Sequence, residues 1–170
     1  MMYWIIIENK FLREKSDNMT GELMINSKEK TKNVIMHLLK KLGGRIEGRK
    51  KLMKLMFLVE HLDIQSGKIT KHGILGNRFF IYYYGVFSRD VMNNYSELVQ
   101  ERKIDDGTPI VLKFEHEIEL DKKLIDKVDR IVNDFGRNTG YDLEKKTLLM
   151  LGIEPSEKDS YFGKDIEQIV

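Results

Sequence analysis

The chain contains no cysteine, and that single absence removes disulfides, thiolate zinc sites and cysteine nucleophiles together. It is compatible with a cytoplasmic protein. Proline occurs only twice, and few prolines, no cysteine and abundant charge also suit a thermophile. Long apolar runs are missing too. The N-terminal run Tyr3-Trp4-Ile5-Ile6-Ile7 falls far short of the roughly 20 residues a spanning helix needs. It also lacks the cationic start and small-residue cleavage site of a signal peptide, so no membrane partner is expected. No G-x-S-x-G, P-loop, dinucleotide glycine pattern or H-E-x-x-H occurs. With no positive signature of catalysis, the expectation is a non-enzyme without cofactor or metal.

What is present is a globular composition, 41% hydrophobic and 33% charged, in a length that fits one domain with a proper core. Residues 1–26 read as an N-terminal arm or extension, with Met19 and Met24 each an alternative start. Residues 27–170 read as a single domain. The net charge of +2 hides an asymmetry. Residues 28–54 hold ten Lys/Arg against two Asp/Glu, whereas residues 115–170 hold nine against fourteen. A basic segment points to a polyanionic partner.

The most informative stretch is Gly48 to Leu58, where Arg49, Lys50, Lys51 and Lys54, with Arg45 just upstream, accompany a very apolar helical pattern. Cations at a helix start oppose the macrodipole at about 0.3–1 kcal/mol each. Local conflicts of this kind are expected where function chose the residues, and backbone N–H groups beside cations suit a phosphate. The blander alternative is a solvated helix face.

Apolar spacing predicts the remaining elements. Ser27 caps a helix lined by Val34, Ile35, Leu38, Leu39 and Leu42 and stopped by Gly43-Gly44. Arg45-Ile46-Glu47 is a connector or minimal strand, and a central helix follows over 48–63. Residues 64–77 form a loop. Residues 78–84 read as a buried strand broken by Gly85. Ser88 caps a third helix with Val91, Met92, Tyr95, Leu98 and Val99 inward. After the Asp105-Asp106-Gly107 turn, strict alternation from Ile110 to Leu120 predicts a long strand or a bent hairpin. Asp121 opens a helix closed by Gly136. Another helix covers 139–151, and a short helix ends the chain. The expected fold is α+β and mostly helical, a winged-helix-like core with a small antiparallel sheet and extra C-terminal helices.

Two stretches, Arg49-Lys50-Lys51-Leu52-Met53-Lys54-Leu55-Met56-Phe57-Leu58 and Phe80-Ile81-Tyr82-Tyr83-Tyr84-Gly85-Val86-Phe87-Ser88-Arg89-Asp90-Val91, resemble the Panacea domain family of SocA-like antitoxins and the YwgA-type family. The match is to a K-L-x-K helix, then an aromatic strand, a corner and a helix. Val86 stands where those families carry proline. The resemblance covers roughly residues 28–153 and implies an antitoxin or regulator, and it carries over no known catalytic residues. It carries over Lys51, Leu52, Lys54, Tyr84, Gly85 and Ser88 as motif positions.

Further candidates lie on the third helix and the strand before it. Arg89, Asn93, Asn94 and Gln100 point away from the apolar stripe, and Arg reads guanine while Asn and Gln read adenine in a major groove. Asp90, Glu97 and Glu101 share that surface and repel phosphate. Tyr82, Tyr83 and Tyr84 read first as core packing, with base stacking or a partner pocket as the alternative. Glu115-His116-Glu117 cannot converge on a metal from one strand.

The leading expectation is therefore a DNA-binding transcriptional regulator of winged-helix type. Arg45, Arg49, Lys50, Lys51 and Lys54 would sit on phosphates of double-stranded DNA, with Arg89, Asn93 and Asn94 near base edges. The alternative is an antitoxin- or adaptor-type module that binds a protein partner such as a toxin. Either could act as a homodimer.

Overall fold

The computed structural model describes residues 26–113 and 116–170. Residues 1–25 of the expected N-terminal arm, and Phe114 and Glu115 of the alternating segment, lie outside the described residues, whereas Asn26 belongs to the first helix. The fold is α+β, mostly helical with a small antiparallel sheet.

Helix α1 runs through residues 26–41. Its buried face carries Val34, Ile35, Leu38 and Leu39, as the spacing predicts. Ser27 differs from expectation. It sits inside the helix, not at its cap, and its hydroxyl donates to the Leu75 carbonyl at 2.6 Å. The helix ends where Gly43 and Gly44 turn left-handed at φ +83° and +82°. The Gly44 N–H then closes on the Leu39 carbonyl at 2.8 Å.

Strand β1 (Arg45–Ile46) leads into α2 (Arg49–His61). Every residue of α2 from Lys51 to His61 is buried. The sequence pattern widens from one stripe to the whole circumference because neighbours cover the helix on several sides. Helices α4 (Lys122–Phe135) and α5 (Gly140–Met150) pack on it, as does strand β3 (Gly85–Phe87).

The aromatic segment 78–84 is not one buried strand. Strand β2 (Phe80–Tyr82) pairs antiparallel with β3 through Phe80↔Phe87, Ile81↔Val86 and Tyr82↔Gly85. Gly85, at φ +81°, supplies the left-handed residue after the Tyr83-Tyr84 turn. It starts a return strand where a break was expected. Ile81 and Val86 face inward and are fully buried, so the tyrosines at the tip are pushed out to solvent.

Helix α3 (Arg89–Gln100) begins at the expected cap, with the Val91 N–H donating to the Ser88 hydroxyl at 3.3 Å. Strands β4 (Ile104–Asp105) and β5 (Ile110–Leu112) follow, and the sheet order is β1-β5-β4, all antiparallel. The alternation to Leu120 does not become a long strand. Its neighbours β1 and β4 are two residues each, and among the described residues the last ladder bond is the Lys113 N–H to the Lys103 carbonyl, with residues 116–120 outside any strand.

Helix α4 has Asp121 as its cap, accepting from the Leu124 N–H at 2.9 Å. Helix α5 opens with a capping box between Thr139 and Asp142. A 3-10 helix (Pro155–Tyr161) and α6 (Ile166–Ile169) complete the chain.

Candidate functional site

The basic start of α2 is folded into internal pairs. Arg49 is paired with Asp106, its Nε donating to Oδ1 at 3.1 Å and its Nη2 to Oδ2. The buried Tyr95 hydroxyl donates to the same Asp106 at 2.5 Å. The Arg49 guanidinium, then Tyr95, hold the Asp106 carboxyl below its ordinary pKa. Lys51 is buried and donates to Glu47 at 3.0 Å. Arg45 is exposed on β1.

The helix end itself has no side-chain cap and no acid in its first turn. It is not open either. A Cβ on Gly140 would lie 3.0 Å from the Lys51 nitrogen and 3.3 Å from the Lys50 Cβ. The N-terminus of α5 is thus pressed against that of α2, and any side chain at 140 would force the two to give by a few tenths of an ångström.

Lys54 is 2% exposed. Its ammonium donates to the Val86 carbonyl at 2.8 Å, which joins the two stretches that carried the family resemblance. Burial pulls its pKa down to about 7, nearby Glu144 opposes this, and Lys50 and Lys158 reinforce it. Glu144 is the hub. It pairs with Lys50 and accepts from Lys158 at 3.0 Å. Burial disfavours its charge, but the hydrogen bonds from Lys50 and Lys158 prevail and leave its pKa lowered. Lys158 also donates to the Tyr83 carbonyl at 2.6 Å. Three lysines and one carboxylate therefore pin the β2–β3 tip to α2, α5 and the 3-10 helix.

On this anchored tip the aromatics stand in solvent. Tyr82, Tyr83 and Tyr84 are 37%, 63% and 67% exposed, Tyr141 on α5 is 65% and Phe162 is 46%. Three of them touch one another. Tyr82 and Tyr83 have ring centroids 4.7 Å apart, and Phe162 lies 5.3 Å from Tyr82 and 5.0 Å from Tyr83. The Lys50 ammonium bridges the other two, 5.0 Å from the Tyr84 ring centre and 4.7 Å from that of Tyr141. The expectation of tyrosines in the core is corrected here, because the hairpin turns at Tyr83-Tyr84 and spends its inward positions on Ile81 and Val86.

The polar face of α3 is a separate region. Arg89 lies with its guanidinium 5.9 Å from the Phe80 ring centre, beside the aromatic hairpin. Asn93 is exposed, whereas Asn94 is buried and donates to the Asp90 carbonyl at 2.8 Å. Glu97 and Glu101 grip Lys32 of α1 at 2.8 and 2.7 Å. Burial opposes the Lys32 charge, but those bonds raise its pKa well above the ordinary lysine value. A cleft of about 540 Å³ between α1 and α3 is lined by Asn93, Asn94, Gln100 and their neighbours.

The structure thus brings Lys50 and Lys54 together with Tyr84 and Gly85. Arg45 and Arg49 lie elsewhere, and Asn93 and Asn94 belong to the α3 cleft. Glu144, Lys158, Tyr141 and Phe162 were not legible as partners, since each comes from an element distant in sequence. The exposed aromatic in the first turn of α5 was the one available hint. Among the described residues, no helix is long and apolar enough to cross a membrane, and no group of three His, Asp or Glu side chains can hold a metal. Comparison with protein-family models, with curated proteins and with solved structures returns no match.

Proposed function

We propose that this chain is a protein-binding module of adaptor or antitoxin type that docks its partner on the tyrosine platform of the β2–β3 tip, α5 and Phe162. The observation that carries the reading is a set of five exposed aromatic rings at and beside the pinned hairpin tip, Tyr82, Tyr83 and Phe162 in mutual contact and Tyr84 and Tyr141 bridged by Lys50. Contiguous exposed apolar patches mark interaction sites. Rigid tyrosines are favoured anchors because they give large contact area at low entropy cost. The resemblance to the Panacea and YwgA-type families agrees with this role.

Duplex-DNA binding is the second reading. It is supported by the element order α1-β1-α2-hairpin-α3-β4-β5 and by the sheet order β1-β5-β4, which fit a winged-helix-like core with a hairpin inserted between its second and third helices. Against it, Arg49, Lys50, Lys51 and Lys54 are committed to internal partners or buried, and α3 carries Asp90, Glu97 and Glu101 on its polar face.

Affinity capture from the native host separates the two, using the wild type and a Tyr84→Ala/Tyr141→Ala variant. A stoichiometric protein retained by the wild type and lost by the variant is the expected result. No such protein, together with duplex-DNA binding that weakens steeply with salt, would overturn the proposal in favour of the regulator.

A further inference from the structure

We infer that the cavity between the end of α2 and the C-terminal segment binds a small neutral molecule, an aromatic body carrying a hydroxyl or N–H that donates to His61. None of the platform's rings lines this cavity, and the inference does not rest on the docking reading. The cavity measures about 360 Å³, within the roughly 300–1,000 Å³ range of small-molecule sites. Glu60 and His61 form one wall, the loop from His72 to Phe79 a second, and Asp165 to Glu167 at the start of α6 a third. The third wall is held by the Ile166 N–H donating to the Phe79 carbonyl at 3.1 Å and by Arg78 Nε donating to Asp165 at 2.9 Å.

His61 is 4% exposed. Its Nδ1 lies 2.9 Å from the Thr70 carbonyl, which can only accept, so Nδ1 carries the proton and Nε2 presents a lone pair. Burial pulls the ring's pKa down against that bond, which keeps it neutral at pH 7. Nε2 is buried and has no hydrogen-bond partner. A buried acceptor without a donor is destabilising, and Nε2 is the one buried side-chain nitrogen or oxygen of this wall in that state. The charged groups are spent or solvated. The Glu60 carboxylate accepts from the Leu75 and Gly76 N–H groups at 2.7 and 2.8 Å and from the Asn77 amide at 2.9 Å. Asp165 is bound to Arg78, and His72 and Glu167 are exposed at the rim, 3.4 Å apart. An ion entering the cavity therefore meets no unpaired opposite charge inside it. The rest of the interior is apolar, with Phe79 and Ile166 buried against it. The His61 and Phe79 rings stand edge to face with centroids 5.9 Å apart, a set that a further aromatic ring extends. A lone water would have one unpaired side-chain atom of the wall to bond, where a buried water typically makes about three hydrogen bonds.

The test is NMR titration of the full chain with three probes. Phenol carries the donor, toluene matches its shape without one, and benzylamine is a cation at neutral pH. Expected is saturable phenol binding that moves the His61 Nε2 resonance and the Ile166 amide, with toluene bound about ten-fold or more weaker. His61→Phe should weaken phenol by a similar factor. That variant also frees the Thr70 carbonyl, so its fold is checked by circular dichroism, and the Nε2 shift in the wild type decides the matter if it does not fold. Toluene binding as tightly as phenol, or an Nε2 resonance that phenol leaves in place, overturns the role of His61. Tighter binding of benzylamine than of phenol overturns the neutral class. Absence of saturable phenol binding leaves the cavity to water and overturns the site.

Discussion

Lys54 and Val86 are joined by a 2.8 Å hydrogen bond from a buried ammonium to a strand carbonyl. The bond ties the middle of α2 to the first turn-side residues of β3, 32 positions along the chain. It explains why a lysine is tolerated inside so apolar a helix. A buried carbonyl needs a donor, and Val86 has the donor it would otherwise lack at the end of a short hairpin.

Burial pulls the Lys54 pKa from 10.5 to about 7, which makes stability depend on pH in a defined window. Between those values the unfolded chain holds a proton on this amine that the folded chain has released. The unfolded state binds more protons, so stability rises with pH from about 7 toward 10.5, with a ceiling of about 1.4 kcal/mol per pH unit. Urea denaturation across pH 7–10 should show this rise in the wild type, and a flatter curve in Lys54→Met. Parallel curves would show that Lys54 keeps its charge in the fold.

Glu144→Gln should loosen the platform. Lys50 and Lys158 would lose the carboxylate that orients them, at a cost of about 1–3 kcal/mol, and the Lys54 pKa should move further down because a raising influence is gone. Denaturation gives the first quantity, and nitrogen-detected NMR titration of the lysine amines gives the second.

Gly73→Ala should be costly for a reason unrelated to backbone freedom. A Cβ there would fall 2.2 Å from Glu60 Oε1. That oxygen accepts from the Leu75 and Gly76 N–H groups at 2.7 and 2.8 Å and holds the loop to α2. Loss of about 1–3 kcal/mol is expected, measured by urea denaturation.

Gly48→Asp should do the reverse. Gly48 caps α2 with extended backbone, open space around its Cα and no side-chain hydrogen bond. An aspartate would accept an N–H and face the helix dipole, adding about 0.5–1 kcal/mol. A shift in urea midpoint reads it directly, and an unchanged midpoint would mean that the contact with α5 leaves no N–H to cap.

Arg49 and Asp106 should couple by no more than about 1 kcal/mol in a double-mutant cycle, because the arginine is more than half exposed. Tyr95→Phe, which removes a buried hydroxyl from the same carboxylate, should cost about 1 kcal/mol by itself.

Most of the helices were legible because periodicity and capping agree. Ser88, Asp121 and Thr139 lie where the apolar spacing starts, and Gly43-Gly44 lies where it stops. The failures share a cause. The aromatic segment has strong β-propensity along its whole length, and propensity says nothing about where a strand reverses; Gly85 was read as an end when it is the pivot of a turn. The alternation after Ile110 satisfied a strand pattern, but a strand needs a partner, and partner length is a tertiary quantity. The basic start of α2 is a local conflict in the sequence, with no acid in its first turn. Its resolution by Asp106, Glu144 and Glu47 depends on which carboxylates the fold brings near. A linear charge count cannot supply that.

The two outer strands of the three-stranded sheet, β1 and β4, span two residues each. The outer side of β2 is already taken by the C-terminal segment, through Ile81 N–H to Lys164 carbonyl at 3.0 Å and Gly163 N–H to Ile81 carbonyl at 2.8 Å. Such a sheet offers an incoming chain little main-chain template, which limits edge-to-edge aggregation. A protein partner docking here as proposed would have to be read by its side chains, so its recognition should tolerate backbone irregularity and depend sharply on composition.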